Sequence, residues 1–298
     1  MDAAAIAQVR SFNRLVTERV GALNDHFLGR DHPLGEARLI WEIGGAGEAG
    51  MELRRLRSRL GLDSAYVSRL LRSLEGQGLV AVAASEADGR VRLARLTAAG
   101  RAERAEYDRL SDDFARAVLD PLNEGQRSRL TAAMAEVERL LTASLVTVEV
   151  ADPASDDAVW CAGQYFAELN RRFDAGFDPS LSISADAHEL TRPSGLLLVA
   201  RLRHEPIGCG ALKFHGADPA EVKRMWVAPA ARGLGLGRRL LRELEQHAAD
   251  AGVATLHLET NRALVEAIAL YRASGYREVA AFNDEQYAHH WFEKRLPL

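Results

Sequence analysis

The feature that most constrains this chain is a run of alternating glycines between a strand-like and a helix-like segment. The run reads Arg232-Gly233-Leu234-Gly235-Leu236-Gly237, within VAPAARGLGLGRRLLREL. Glycines let the backbone approach a ligand closely, and the free N–H groups and dipole of a helix N-terminus favour phosphate. A tight turn alone does not need three alternating glycines beside an arginine. The sequence therefore predicts a phosphate-binding loop at this junction.

Length and pattern indicate two domains. At about 150 residues per domain, a chain of 298 residues is expected to hold two. The helix-like pattern of the first half changes near residue 146 to a strand-like alternation, so we expect one domain over residues 1–146 and a second over 147–298. The second is predicted to be mixed α/β around a central sheet, with strands near 145–150, 193–214, 221–227, 255–259, 276–282 and 290–294 and helices near 158–173, 235–251 and 264–274.

The net charge hides an uneven distribution. The whole chain carries 38 basic and 42 acidic residues, a formal charge of −4 that by itself argues against a nucleic-acid partner. Residues 53–104, however, hold 11 arginines and 5 acidic residues. A local excess of this kind is typical of a surface that contacts phosphates.

The basic segment has the pattern of a helix-turn-helix within a mostly helical first domain. After a short helix, Asp63 or Ser64 can cap a second helix over residues 65–77. Two short strands, 79–82 and 91–96, follow around a tight turn. The apolar residues of the second helix repeat at helical spacing and are expected to face the core. They are Val67, Leu70, Leu71 and Leu74.

The opposite face of that helix is polar. A helix fits the major groove of DNA, where arginine and serine reach base edges and phosphates, and an arginine at a hairpin tip can enter the minor groove. The sequence therefore predicts a winged helix-turn-helix that binds DNA, and the alternative is a solvated arginine face on a dimerisation module. The candidate DNA-binding residues are Ser64, Tyr66, Ser68, Arg69, Arg72 and Arg90.

The segments DSAYVSRLLRSLEGQGLV and DGRVRLARLT resemble the MarR family of transcriptional regulators, and the resemblance covers roughly residues 1–146. It implies a dimer formed by the first and last helices, here residues 2–24 and 123–145. A two-fold dimer places two recognition helices one helical turn of DNA apart, which implies a palindromic operator. We therefore expect a homodimer with DNA as a partner.

The glycine run, together with LHLETN followed by AIALYRASGYRE, resembles the GNAT acetyltransferases over about residues 147–298. The run matches the family signature Q/R-x-x-G-x-G/A. The resemblance implies acetyl-CoA as acetyl donor, with the pantetheine arm along the strand end and the pyrophosphate in the loop. The implied cofactor-binding residues are Trp226, Val227, Arg232, Gly233, Leu234, Gly235, Leu236, Gly237, Arg238 and Asn261.

Acetyl transfer to an amine needs a base, because an alkylammonium with a pKa of about 10 must lose a proton before it attacks a thioester. Glu221 opens the motif strand and is the candidate base, directly or through water; a solvent-facing strand residue is the alternative. The resemblance places Tyr271 near the thioester sulfur as proton donor to the departing thiolate, with a packing aromatic as the alternative. A backbone N–H where neighbouring strands separate is expected to stabilise the oxyanion.

The resemblance also implies that the first helix of this half and its late strands form the acceptor site. For the aromatic candidates, packing in the core is the alternative. The candidate acceptor-binding residues are Tyr165, Glu168, Arg172, Phe173, Phe177, Asn283, Tyr287 and His289.

The cysteine count, the histidine spacing and the apolar stretches indicate whether to expect disulfides, metal sites or membrane segments. Cys161 and Cys209 are too few for a disulfide framework or a multi-cysteine zinc site, and His289-His290 lacks companions at metal-ligand spacing, so no metal is expected. The N-terminus has no signal-peptide pattern, and the apolar stretch 196–200 is far too short to span a membrane. We expect a soluble, cytoplasmic protein with no membrane partner.

Three functions fit these patterns. The first is a bifunctional DNA-binding regulator and acetyl-CoA-dependent N-acetyltransferase, acting on a primary amine of a small molecule or on a protein lysine. In the second, the acetyltransferase domain only senses acetyl-CoA or an acceptor, without turnover. In the third, the winged helix is only a dimer scaffold for the enzyme. The intact glycine run and Tyr271 favour turnover.

Overall fold

The computed structural model describes residues 2–21, 26–183, 185–216 and 219–296. The chain divides into two compact units, Met1–Thr131 and Ala132–Leu298. A long helix, Glu124–Ser144, begins in the first unit and ends in the second. The domain boundary expected near residue 146 stays a prediction.

The first unit is mostly helical, as expected. Its predicted first helix extends to residue 24, but the observed one ends at Arg19, and residues 22–25 lie outside the described part of the chain. The helices are α1 (Ala3–Arg19), α2 (Leu34–Gly45), α3 (Leu53–Leu60), α4 (Ser64–Gly76), α5 (Ala98–Leu119) and α6 (Glu124–Ser144).

Local sequence explains where α4 begins and which face it buries. The Asp63 side chain accepts a hydrogen bond from the Tyr66 N–H at 2.9 Å, which satisfies one of the free donors of the first turn. The predicted inward face is confirmed, because the four apolar residues at helical spacing are all buried: Val67, Leu70, Leu71 and Leu74.

A small antiparallel sheet completes this unit. It consists of β1 (Met51–Glu52), β2 (Val80–Ala84) and β3 (Arg92–Leu96) in the order β1-β3-β2. The hairpin β2–β3 is the expected wing. Strand β1 has only two residues, too few to show a periodic pattern in the sequence.

The second unit holds a seven-stranded mixed sheet in the order β4-β5-β6-β7-β8-β10-β9, with the pair β7–β8 parallel and the other neighbouring strands antiparallel. The strands are β4 (Val146–Ala151), β5 (Gly195–Leu202), β6 (Glu205–Phe214), β7 (Ala220–Val227), β8 (Thr255–Thr260), β9 (Arg277–Val279) and β10 (His290–Arg295). The helices are α7 (Asp156–Arg172), α8 (Leu236–Asp250) and α9 (Val265–Ala273).

The glycine run is held in place by the helix that follows it. Leu240, Leu241 and Leu244 of α8 are buried in the main core, where they pack with residues of the central strands. Complete burial of a leucine contributes about 1.5–3 kcal/mol relative to exposure. These three side chains therefore fix the N-terminus of α8 against the end of β7.

Candidate functional site

Two clefts lie where β7 and β8 separate. The strands pair in parallel at residues 220–221 and 256–257. A bulge between β6 and β7 then interrupts the ladder, at a point where Arg224 has a φ of 53°, a left-handed conformation that a non-glycine residue seldom adopts. Such bulges redirect a strand beside a site. Here the carboxyl half of β7 forms a wall of both clefts.

The larger cleft, of about 1510 Å³, lies over the glycine run. Nearly all residues predicted to bind the cofactor line it, namely Trp226, Val227, Arg232, Gly233, Leu234, Gly235, Leu236, Gly237 and Arg238. The structure thus brings together the end of β7, the loop and the start of α8.

The loop geometry explains the alternating glycines. Gly233 and Gly235 have φ values of 85° and 74°, in the left-handed region that favours glycine. Gly235 is the N-cap of α8 and supplies no side-chain cap, and the first turn of the helix carries no acidic residue. The N–H groups of that turn and the positive end of the helix dipole are therefore open to an anion. The arrangement fits a phosphorylated ligand.

Glu168 accepts hydrogen bonds from three side chains in one wall of this cleft. Its two oxygens accept hydrogen bonds from Arg232 Nη2 at 2.7 and 2.6 Å, and Oε2 also accepts from the Trp226 indole N–H at 3.0 Å. Arg172 donates to Oε1 at 3.2 Å. Burial acts to raise the pKa of Glu168, but these donors outweigh it and the pKa is lowered. Sequence reasoning assigned Glu168 and Arg172 to the acceptor; both line the larger cleft instead.

The smaller cleft, of about 610 Å³, has aromatic walls. Four predicted acceptor residues line it: Tyr165, Phe173, Phe177 and Tyr287. The rings of Phe173, Phe177 and Tyr287 pack against one another with centroid separations of 4.9–5.8 Å. They form a preassembled apolar surface.

Tyr271 connects the two clefts. Its side chain is buried and lines both of them, as does Tyr165. Burial raises the pKa of Tyr271, and the negative charge of Glu259 raises it further. The phenol therefore keeps its proton at neutral pH and can act as a hydrogen-bond or proton donor.

A buried ionic triad of Glu221, Lys223 and Glu259 contributes two of its residues, Lys223 and Glu259, to the lining of the smaller cleft. Lys223 Nζ donates to Glu259 Oε1 at 2.5 Å and to Glu221 Oε2 at 3.0 Å, and all three side chains are largely buried. His215 Nε2 lies 3.4 Å from the other oxygen of Glu221. One ammonium thus serves two carboxylates, which leaves the triad with an excess of negative charge.

The environments of the two carboxylates push their pKa values apart. Burial acts to raise the pKa of Glu221, but Lys223 and His215 outweigh it and the pKa is lowered. Burial also acts on Glu259, and there it prevails over Lys223, with the charge of Glu221 adding to the rise in pKa. Glu259 lines the smaller cleft, and its Oε2 is buried without a hydrogen-bond partner among the described residues. Divergent environments of this kind separate a proton acceptor from a permanently ionised neighbour.

The basic region of the first unit forms a separate groove of about 760 Å³. It is lined by residues of α3, α4 and the wing, including Arg54, Arg57, Ser68, Arg90 and Arg92. The wing-tip side chain of Arg90 is 93% exposed. The groove presents four guanidinium groups with one lining carboxylate, Glu52.

Of the other predicted DNA-binding residues, Ser64, Ser68, Arg69 and Arg72 are exposed on α4, whereas Tyr66 is half-buried and packs against the core of this unit. Arg69 stacks over the Tyr66 ring at 5.0 Å, and Arg72 Nε donates to the Ser68 carbonyl at 3.2 Å. Ser68 Oγ donates in turn to the Ser64 carbonyl at 2.7 Å. These local contacts preorganise the arginines along one side of the helix.

The comparisons with known proteins agree with this architecture. The acetyltransferase (GNAT) family model matches residues 163–276. The IAA acetyltransferase of Azospirillum brasilense is 36% identical over 138 residues, 46% of this chain and 88% of that protein. The N-alpha-acetyltransferase RimI of Mycobacterium tuberculosis is 34% identical over 142 residues, 47% of this chain and 84% of that protein. The chain belongs to the GNAT family. Its C-terminal half is an N-acetyltransferase domain.

The first unit matches a second family. The MarR family model covers residues 31–91, which include α2 to α4 and most of the wing. The crystal structure of Streptococcus pneumoniae FabT in complex with DNA aligns with a TM-score of 0.38 and 22% identity, over 47% of this chain and 97% of that one. The expected combination of a MarR-type region and a GNAT fold is confirmed.

Besides Glu168 and Arg172, three more predicted site residues of the GNAT domain are not among the described lining residues of the cleft assigned to them. Asn261 lines the smaller cleft, not the larger, and its amide is committed to the backbone: Nδ2 donates to the Tyr287 carbonyl at 2.7 Å and Oδ1 accepts from the Ala263 N–H at 2.8 Å. Asn283 Oδ1 accepts from the Trp291 indole at 2.8 Å, and His289 is exposed. Neither Asn283 nor His289 is among the described lining residues of the GNAT clefts.

Sequence reasoning missed Glu259 although it stands inside the LHLETN motif. The available signal was its place near the end of a buried strand, between buried Leu258 and Thr260. What the sequence did not show is that β7 and β8 share one lysine. Burial and the charge of Glu221 raise the pKa of Glu259, whereas Lys223 and His215 lower the pKa of Glu221.

Two kinds of feature are absent from the part of the chain that the structure describes. None of the helices there is long and apolar enough to cross a membrane. No group of three or more His, Cys, Asp or Glu side chains in the same residues is arranged to hold a metal ion.

Proposed function

We propose that this protein is a bifunctional transcriptional regulator and acetyl-CoA-dependent N-acetyltransferase that acetylates a primary amine. The observation that carries the enzymatic part is that Tyr271 lines both clefts and that Glu259, whose charge acts on Tyr271 and whose Oε2 has no hydrogen-bond partner among the described residues, lines the smaller one. A proton donor at the junction and a proton acceptor on the acceptor side are what transfer between two bound substrates requires.

The larger cleft would hold acetyl-CoA. Its two left-handed glycines and the uncapped N-terminus of α8 suit a pyrophosphate, and Arg232 is fixed beside them by Glu168. When bound, acetyl-CoA supplies an acetyl group activated as a thioester. The backbone of Trp226 and Val227 lies along the same cleft and would orient the arm that carries that group.

Glu259 is the proposed base. An ammonium acceptor must lose a proton, and the raised pKa of Glu259 makes it a stronger proton acceptor than an ordinary carboxylate. Glu221, the base expected from the sequence, is held ionised by Lys223 and His215, so we propose that it positions Lys223 and keeps the pKa of Glu259 high. Tyr271 would donate its proton to the departing sulfur.

The smaller cleft favours a cationic acceptor with an apolar body. Glu259 and Glu285 line it together with the aromatic surface of Phe173, Phe177 and Tyr287. Carboxylates attract an ammonium group, and ring faces pack against apolar or cationic groups. An alkylamine with a hydrophobic substituent matches these walls, and the lysine of a protein segment is the second acceptor class to test.

The enzymatic proposal is tested by thiol release from acetyl-CoA with a panel of amines. We expect turnover with at least one hydrophobic amine, and a loss of about 10²–10⁴-fold in Tyr271→Phe. Tyr276→Phe is a matched control, because Tyr276 is also buried but is not among the described residues that line either cleft. Acetyl-CoA binding without turnover by any amine would contradict catalysis and leave a sensing function.

We also propose that the MarR-type region binds DNA through α4 and the wing. Support comes from the exposed arginines of α4 and the basic groove beside the wing. A gel shift with DNA from neighbouring promoters, at several salt concentrations, tests this directly. Absence of binding to every promoter at low salt would leave the region as a dimer scaffold.

A homodimer is part of this proposal. Helix α1 buries none of its described residues, and five large apolar side chains on it are exposed: Ile6, Val9, Phe12, Leu15 and Val16. A second copy of the chain that covers this face would present two α4 helices to a palindromic operator. Sedimentation of the wild type and of Phe12→Asp tests it, since the variant is expected to sediment as a smaller species. A protein that uses DNA and acetyl-CoA would work in the cytoplasm.

A further inference from the structure

Part of the wall of the larger cleft is formed by residues outside the range that the GNAT family model matches. Arg139 and Leu140 of α6 line it, although the family model begins at residue 163. Both residues belong to the second compact unit, Ala132–Leu298. Helix α6, which lies beyond the residues that the MarR family model matches, thus contributes side chains to the site proposed for acetyl-CoA.

Arg139 makes a direct contact with the glycine loop. Its Nη1 donates to the Gly233 carbonyl at 2.9 Å, so one carbonyl of the loop is held on the α6 side. Its Nε donates to Glu136 Oε2 at 3.0 Å, and Nη2 binds the same oxygen. These contacts use three of the five N–H groups of a guanidinium.

The side chains of this wall are accessible to a ligand. The Arg139 side chain is 48% exposed and Leu140 is 57% exposed. Arg139 adds a positive charge to a cleft that already holds Arg232 and Arg238. Leu140 adds apolar surface at its edge, which a ligand would remove from water.

We infer that α6 is part of the cofactor site: Arg139 positions the phosphate-binding loop through Gly233 and adds charge for the phosphates, while Leu140 packs against the bound molecule. The inference rests on the proposed use of acetyl-CoA. Because α6 starts at Glu124, in the unit that contains the MarR-type region, occupancy of the cleft stabilises a helix shared by both units. By linkage, a ligand that binds one conformation of a helix more tightly than another shifts the population toward the conformation that it binds.

The first test is calorimetric titration of acetyl-CoA into the full chain and its variants. We expect Arg139→Ala to weaken binding by about tenfold, as for the loss of a hydrogen bond to a charged group, with Arg139→Lys recovering part of the loss. In turnover assays the KM for acetyl-CoA should rise more than kcat falls. Alanine is a strong helix former, so the variant keeps α6 intact.

The matched control is Arg129→Ala, an exposed arginine of the same helix in the first unit. It should bind acetyl-CoA like the wild type. Equal affinities of Arg139→Ala and the wild type would overturn the inference. Absence of binding by the wild type would instead refute the proposed use of acetyl-CoA, so the two failures are distinguishable.

Hydrogen–deuterium exchange supplies a readout independent of activity and of DNA. With saturating acetyl-CoA, we expect the wild type to gain protection in peptides that cover residues 232–238 and in those that cover 134–144. In Arg139→Ala the loop should still gain protection, while the gain in α6 is reduced. Protection of the loop without any change in α6 of the wild type would overturn the inference.

Discussion

The two halves of this protein place their candidate functional groups in opposite physical settings. In the GNAT domain they are buried and share charges: Lys223 pairs with both Glu221 and Glu259, and Tyr271 is buried in the same cleft wall. In the MarR-type region they are exposed arginines whose contacts are local, such as Arg69 over the Tyr66 ring.

The difference explains how each half is expected to respond to change. Buried charges interact strongly, so substitutions in the triad should change pKa values and turnover, and the loss of the shared ammonium should also lower stability. Exposed arginines act on phosphates through a field that salt screens, so their effects should be smaller and should vary with ionic strength. The following predictions test this contrast.

The largest effect is expected for Glu259→Gln. Removing the proposed base should lower kcat by about 10²–10⁴-fold. The fold should not suffer, because burial raises the pKa of Glu259 and the ionised group therefore costs stability above that pKa. Steady-state kinetics and thermal melting at neutral pH check both parts.

Glu259→Gln also leaves Lys223 with one carboxylate, Glu221, which balances the charge. We therefore expect a melting temperature equal to or above that of the wild type. Full turnover in this variant would show that Glu259 is not the base, and a large drop in melting temperature would show that the triad is stabilising.

Next in size is Lys223→Met. This change removes the ammonium shared by Glu221 and Glu259 and leaves two buried carboxylates without it, so the free energy of unfolding should fall by about 3–5 kcal/mol. Urea denaturation measures the loss. Lys213→Met is the control, because Lys213 pairs with the more exposed Glu189 alone and its removal should cost less.

In the MarR-type region, Arg69→Ala is expected to weaken DNA binding by about 5- to 150-fold, the range for an arginine that contacts a base. Its melting temperature should not change, since the side chain is exposed. Gel shifts at low and moderate salt provide the measurement, with Arg116→Ala on α5 as a control. A similar loss in both variants would indicate a general charge effect.

The smallest effect concerns pH. The base must be deprotonated, so kcat/KM should fall as pH drops through the raised pKa of Glu259. Glu221→Gln removes a negative charge that raises this pKa and leaves Lys223 to Glu259 alone, so the acidic limb should move to lower pH. A limb that stays in place would show that Glu221 does not set the pKa of the base, and complete loss of turnover would favour Glu221 itself as the base.

The pH dependence of the free energy of unfolding should follow from the directions of the two pKa shifts. The lowered pKa of Glu221 stabilises the fold above the pKa of the unfolded state, and this contribution is lost as pH falls through the folded pKa. The raised pKa of Glu259 has the opposite sign, with stability lost as pH rises through it. The two groups therefore partly compensate in an acid titration.

Most elements were predictable because their signals are local. The inward face of α4 follows from helical spacing, and the cap at Asp63 and the stop at Gly61 follow from preferences of single residues. The long strands and helices of the GNAT domain lie within a few residues of their expected ranges. The expected strand over 276–282, by contrast, forms only at Arg277–Val279.

The site was predictable in part for the same reason. The cofactor loop is one continuous segment with a strand before it and a helix after it, and those residues do come together. The acceptor residues come from separate segments, and sequence alone could not decide which side of β7 each one faces. Glu168 and Arg172 line the larger cleft and not the smaller one, while Asn283 and His289 are not among the described lining residues of either.

The sequence by itself determined two motifs. One is a basic helix-turn-helix followed by a wing, and the other is a glycine loop between a strand and a helix. Both could be predicted because each depends on residues that are neighbours along the chain. Tertiary structure decided which carboxylate of the triad has the raised pKa, since that depends on the burial of Glu259 and on the contacts of Glu221 with Lys223 and His215. It also decided that Arg139 reaches Gly233, a contact between residues far apart in sequence. Charge sharing and cleft walls are set by distances in space, and no local pattern encodes them.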